Sequence, residues 1–206
     1  MRLIFHLAFL SFCVASATAA SDFSLDSEGY IRNWLILAPI GLHEGESGGD
    51  AVFREQIKGE ASLRPVAGEK VKIGAKELTW QSLAAPTNYF DFNATLKSVN
   101  DHAAGYAVTY IECDADIPDV IMAVASNDEG RIYFNGVDIY AFNEARTLML
   151  DADKGKVTLK RGVNVVVFKV INELNSWQGA MRLLDKSGAP LKGVKIKIGP
   201  GTPPIK

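Results

Sequence analysis

From Val120 to Val170 the chain alternates short apolar runs with tight-turn residues and never settles into a helical repeat. Val120-Ile121-Met122-Ala123-Val124-Ala125 is continuously apolar and rich in β-favouring residues, which predicts a central strand covered on both faces. Asn127, Asp128 and Gly130 then supply turn chemistry, because Asn and Asp side chains bond nearby backbone and Gly tolerates positive φ. Ile132-Tyr133-Phe134 resumes an extended pattern, and Asn135-Gly136 is the dipeptide most favoured in two-residue hairpins. A further strand is expected from Val137 to Phe142. Lys156 to Val170 gives another strand, a turn at Gly162 and a longer strand.

The same pattern extends to both sides. Trp34 to Ala38 is the first expected strand, ended by Pro39. Gly41 to Asp50 holds four glycines among charged residues and predicts a surface loop. Asp50 can cap a short helix through Ile57, with Phe53 and Ile57 on one face. Val71 to Trp80 predicts two short strands or one interrupted strand. In Thr87 to Asn93, polar Tyr89, Asp91 and Asn93 alternate with Phe90 and Phe92. Tyr106 to Cys113 is a long strand, Asp114 to Asp119 an acidic turn, Asn172 to Ser176 a polar turn, and Trp177 to Leu184 a further strand. Val194 to Ile198 alternates as an edge strand with outward lysines. About ten short strands with regular turns and one or two short helices predict an all-β fold, a two-sheet β-sandwich with jelly-roll connections. A closed barrel is the alternative. The sandwich is expected over residues 30–198, after a polar lead-in at 21–29 and before a Pro/Gly tail at 199–206.

Ser126-Asn127-Asp128-Glu129-Gly130-Arg131-Ile132-Tyr133-Phe134-Asn135-Gly136, followed by Leu159-Lys160-Arg161-Gly162-Val163-Asn164 and Val167-Phe168-Lys169-Val170, resembles galactose-binding-domain-like jelly rolls. The sugar-binding domain of family 2 glycoside hydrolases and related modules of secreted bacterial proteins share such a hairpin and strand pair. The resemblance covers roughly Ile31 to Ile198 when the flanking pieces are counted. It implies sugar binding, adhesion or structural packing, and it implies a structural calcium as well. In the resembled hydrolases the catalytic acids lie in a separate barrel domain, so the resemblance points away from catalysis.

Composition is that of an ordinary globular chain, with 206 residues, 48% apolar and 22% charged. Arg2, the apolar run Leu3 to Val14 and the small residues Ala17-Thr18-Ala19 predict a secretory signal peptide over residues 1–20. A lipoprotein signal at Leu10-Ser11-Phe12-Cys13 is the competing reading, disfavoured by bulky Phe12. Cleavage removes one of the 22 basic residues and none of the 24 acidic ones, leaving a formal charge of −3. Neither nucleic acid nor an anionic membrane is then an expected partner, and no other segment predicts a membrane span. The product is expected to be secreted or periplasmic. Cys113 is left alone, which argues for strand-end packing rather than a disulfide or thiolate metal site.

Gly45-Glu46-Ser47-Gly48-Gly49-Asp50 mimics a serine-hydrolase motif, but a nucleophile elbow requires a strand-to-helix turn in an alternating β/α chain. Only His43 and His102 could serve Ser47 as base. Asp114, Asp116 and Asp119, or Asp151 and Asp153, could offer oxygen ligands to calcium, although neither group has EF-hand spacing. Sugar binding needs aromatic faces for stacking and planar polar groups to fix hydroxyls. The candidates are Trp80, Tyr89, Tyr140 and Trp177, with Asn88, Asp128, Arg131, Asn175 and Gln178. The expectation is therefore a non-catalytic carbohydrate-binding-like module whose partner is a glycan. The alternative is a structural or protein-interaction module of an envelope or extracellular assembly, and a small Ser47 hydrolase ranks third.

Overall fold

A computed structural model describes residues 22–200; the expected signal peptide and most of the Pro/Gly tail lie outside the described residues. Two antiparallel sheets face each other. In the first, β1 (Asn33–Gly41) lies between β4 (Gln81–Ala84) and β6 (Ala103–Cys113), followed by β11 (Gly162–Asn172), β8 (Gly130–Phe134) and β9 (Val137–Phe142). Beyond the end of β1, β13 (Val194–Lys197) takes its place against β6. The second sheet runs β10 (Asp153–Leu159), β7 (Ile117–Asn127), β12 (Gln178–Leu184) and β5 (Phe90–Asp91). A small hairpin, β2 (Lys70–Ile73) with β3 (Lys76–Thr79), stands apart. The all-β sandwich with two short helices follows from the pattern of apolar runs and turns, and the closed barrel does not form.

The longest ladder joins β6 and β11 from the Cys113–Gly162 pair to the Ala103–Asn172 pair. Almost every residue of both strands is buried, because both faces of the first sheet are covered. On the inner face, Trp34, Ile36, Ala107, Ile111, Val166 and Phe168 meet Met122, Val124, Met181 and Leu183 of the second sheet. On the outer face, Leu35, Leu37, Tyr106, Val108 and Val167 are roofed by Val52, Ile57 and Trp80. Burial of each such large side chain stabilises the fold by about 1.5–3 kcal/mol.

The roof carries a charged centre. Lys169, fully buried on β11, places Nζ 3.0 and 3.1 Å from the two carboxylate oxygens of Glu60, which lies in a 3-10 turn at Glu60–Ser62. Tyr106 and Tyr133 donate their hydroxyls to the same carboxylate, and Lys169 also donates to Arg54 O at 2.8 Å. Burial pulls the Lys169 ammonium below its ordinary value, opposed by Glu60.

Local departures from the expected elements have local causes. β1 continues through Pro39 because its pairing with β6 shifts register between Leu37 and Ile40, where a missing N–H costs no ladder bond. The helix expected at Asp50–Ile57 shrinks to α1 (Gly48–Ala51). Phe53 O and Arg54 O instead accept from Arg131 Nη1 and Lys169 Nζ. A second helix, α2 (Phe92–Leu96), replaces the end of the alternating stretch: Asp91 caps it by accepting from Ala94 N at 2.8 Å. The lead-in is docked, since Phe23 exchanges two 2.8 Å backbone hydrogen bonds with Ile196. Cys113 is buried at the end of β6, its thiol pushed up by burial and 3.1 Å from Lys160 O.

Candidate binding cleft

Three connections converge at one end of the sandwich: the β7–β8 turn, the β11–β12 turn, and the loop between β9 and β10. Between them lies an open cleft of about 350 Å³, lined by Asn127, Asp128, Arg146, Thr147, Asn175 and Ser176, with Ala145 and Leu174 adding apolar surface. Its walls are held from behind. Asp128 Oδ2 accepts from Glu173 N at 2.9 Å, tying the two turns together, and burial raises the Asp128 carboxyl above its ordinary value. The Asn127 amide, oriented to donate, reaches Ser176 O at 2.6 Å. Asn175 has φ +70°, and its backbone is fixed by Asp101 Oδ1 at 2.9 Å and by Asn93 Nδ2 at 2.6 Å. Trp177, fully buried directly behind the turn, donates its indole N–H to Val170 O at 3.1 Å.

Arg146 forms the third wall and spends its donors inside the protein. It reaches Asp153 at 2.7 Å, the Tyr140 hydroxyl at 2.7 Å and the Ser126 hydroxyl at 2.9 Å, and stacks 3.7 Å over the Phe142 ring. The side chains of Asn175, Ser176 and Thr147, by contrast, make no hydrogen bond among the described residues and face outward. Leu174 is 56% exposed beside them. The cleft thus offers amide, hydroxyl and carboxylate groups next to a small apolar surface.

The sequence candidates divide. Asp128 and Asn175 line the cleft, whereas Gln178 does not, being paired in register with Asn127 and donating to Asp91 at 2.9 Å. Tyr89 is half-buried in a separate cleft of about 410 Å³ with Leu83, Pro86 and Lys97, while neighbouring Asn88 bonds Glu28 at 2.9 Å. Tyr140 turns its hydroxyl inward to Asp153, and burial raises its phenol well above the ordinary value. Arg131 lies under the roof, bonded to Asp138 and stacked on Tyr133 and Phe53. Trp80 and Trp177 present no open face: Trp80 is 1% exposed within the roof cluster and Trp177 is sealed in the core. Asn127, Arg146, Thr147, Leu174 and Ser176 escaped the sequence reading. The turn residues among them carry no aromatic signal, and the stretch 143–152 has no periodicity that would place it.

The calcium implied by the resemblance does not fit the acidic turns. Asp116 is engaged by Lys160 and Arg161 N, Asp151 by Arg182, and Asp153 by Arg146. Among the described residues no group of three His, Cys, Asp or Glu side chains is disposed to hold a metal. Ser47 is the N-cap of α1: its hydroxyl donates to Asp50 Oδ2 at 2.7 Å and accepts from Asp50 N at 3.1 Å, with no histidine bonded to it among the described residues. Ser47→Ala is expected to cost about 1 kcal/mol through loss of that cap, measured by denaturant unfolding.

Among the described residues no helix is long and apolar enough to cross a membrane. No protein-family model matches the chain. No curated protein matches it either. Among solved structures the chain is similar to the PA14 domain of the MpAFP antifreeze protein, at a TM-score of 0.42 and 9% identity over 83% of this chain and 93% of that one.

Proposed function

We propose that the protein is a non-catalytic, exported carbohydrate-binding-like module that receives a glycan in the cleft between Asn127–Asp128 and Leu174–Ser176. The observation that carries this reading is the set of outward polar side chains without internal partners among the described residues: Asn175 and Ser176, mounted on a turn whose backbone is fixed, and Thr147 facing them from the 143–152 loop, all beside exposed Leu174. Fixed planar polar groups around a small apolar surface suit a ligand rich in hydroxyls. The broad outer face of the first sheet is unsuited to that task, because the roof fills it. The finer assignment to galactose-binding-like jelly rolls belongs to this same proposal. No catalytic role is assigned to Ser47.

A glycan-array screen of the purified protein tests the reading. At least one glycan class is expected to bind, with Asn175→Ala and Asp128→Asn each weakening it about tenfold, the equivalent of a hydrogen bond worth about 1.4 kcal/mol. An array without hits sinks the proposal.

A protein-interaction module is the second reading, favoured by the exposed apolar side chains Val137, Ile139 and Met149 at and near the β9 edge. That edge is blunted by a register shift opposite Ile132–Tyr133, and β10 bears outward Lys154 and Lys156. A partner would therefore dock on side chains rather than add a strand. Val137→Asp would abolish such an association and leave glycan binding intact.

A further inference from the structure

Behind the cleft lies a carboxyl group that the binding reading does not use. Glu129, next to Asp128 in the β7–β8 turn, is 1% exposed, and its Oε2 has no hydrogen-bond partner among the described residues. It is pressed against Gly48, where a Cβ would overlap the carboxyl group, so only glycine fits at the start of α1. Gly48 is also where the cleft wall is tied down: its N–H donates to Glu173 Oε1 at 2.6 Å, and Glu173 N donates in turn to Asp128 Oδ2. One short relay of Gly48, Glu173 and Asp128 therefore links the 41–51 loop to the β11–β12 turn that carries Leu174, Asn175 and Ser176.

The charged groups acting on Glu129 are all of one sign. Asp128 comes from its own turn and Glu173 from the end of β11, while α1 contributes the Gly48 backbone and an Asp50 carboxylate turned toward Ser47. Among the described residues no basic side chain offsets them. Burial, opposed by Glu129's own backbone N–H and reinforced by the Glu173 and Asp128 charges, pushes the Glu129 carboxyl from its ordinary 4.5 up to about 7.

We propose that Glu129 is a proton-operated latch on the cleft: neutral, it lets the Gly48 turn and the Glu173–Ser176 wall stay packed; ionised, it places an unpaired charge beside Glu173 and Asp128 and releases them. This rests on the cleft being the binding site only in its consequence for ligand. The latch itself is a property of the unliganded protein. The sign of its linkage is fixed. A carboxyl whose folded value lies above its ordinary one binds more protons folded than unfolded, so its contribution is intact below pH 4.5 and is lost as pH rises through 7.

The test is amide hydrogen exchange of the unliganded protein, corrected for intrinsic rates, read at Gly48 and Glu173 between pH 6 and pH 8. A carboxyl titrating near 7 makes the open form about tenfold more accessible over that span, so protection at both amides is expected to fall about tenfold. In Glu129→Gln, which keeps the shape, both profiles flatten. In Glu173→Gln, which keeps the acceptor for Gly48 but removes one neighbouring charge, the step moves to lower pH. Flat protection in the native protein, or a step that survives Glu129→Gln, overturns the latch. Because the readout needs no ligand, an empty glycan array leaves it standing, and its own failure leaves the glycan-binding reading untouched.

Discussion

Lys169→Met is expected to lower the unfolding free energy by about 3–5 kcal/mol, and Glu60→Leu combined with it to recover most of the loss. The single substitution removes the ammonium bonded to a carboxylate buried to 3% exposure, leaving Glu60 with the Tyr106 and Tyr133 hydroxyls and the Gln56 N–H as donors and only the more distant Arg54 and Arg131 as opposite charges. Neutral donors do not replace a bonded cation there, because a charge that loses its direct partner in a low-dielectric interior retains most of its desolvation penalty. The double variant removes both charges and fills the space with apolar groups, so its deficit reduces to imperfect packing and two unsatisfied phenols. Urea unfolding of the two single variants and the double variant gives the coupling energy directly. Nearly additive losses would mean that the pair is not the keystone of the roof.

Trp177→Ala carries the second large effect, about 3–5 kcal/mol from lost burial and the cavity left behind. The indole is fully buried, lies 4.4 Å from the Phe92 ring between centroids, and packs over Gly105, where a Cβ would come within 2.7 Å of Cζ2. It also anchors the turn immediately after Ser176 through its bond to Val170 O. The truncation is therefore expected to weaken any cleft ligand by more than the loss of folded protein explains, because Asn175 and Ser176 lose their backing. Trp177→Phe should keep most of the packing and forfeit only the indole hydrogen bond. Thermal unfolding with ligand titration on the folded fraction separates the two effects, and unchanged affinity in the folded fraction would show that the turn holds itself.

The order of strands from Val120 to Val170 could be read from sequence because each apolar run there is bounded by residues whose turn chemistry is local: Asn127-Asp128, Asn135-Gly136 and Gly162. What escaped was decided by distant partners. The helix after Asp50 was cut short because its carbonyls serve Arg131 and Lys169, which lie more than seventy residues away in sequence. Asp91 looked like one beat of a strand alternation and acts as a helix cap. Trp80 looked available as an aromatic at the end of the Val71–Trp80 stretch, yet residues 51–80 fold back as a roof and carry it inside. The cleft was half legible. Asp128 and Asn175 stood out as polar turn residues, whereas Arg146 and Thr147 belong to a stretch whose place is set by Arg146's bonds to Ser126 and Asp153 rather than by any periodicity.

The paired backbones of Phe23 and Ile196 have an architectural consequence. They bring the entry and exit of the folded body side by side, so the sandwich can hang from a longer polypeptide like a bead on a looped thread. A few flexible residues would suffice to splice the two ends together. Fresh ends could then be cut at the Gly74–Ala75 tip of the small hairpin, leaving both sheets and the cleft uninterrupted.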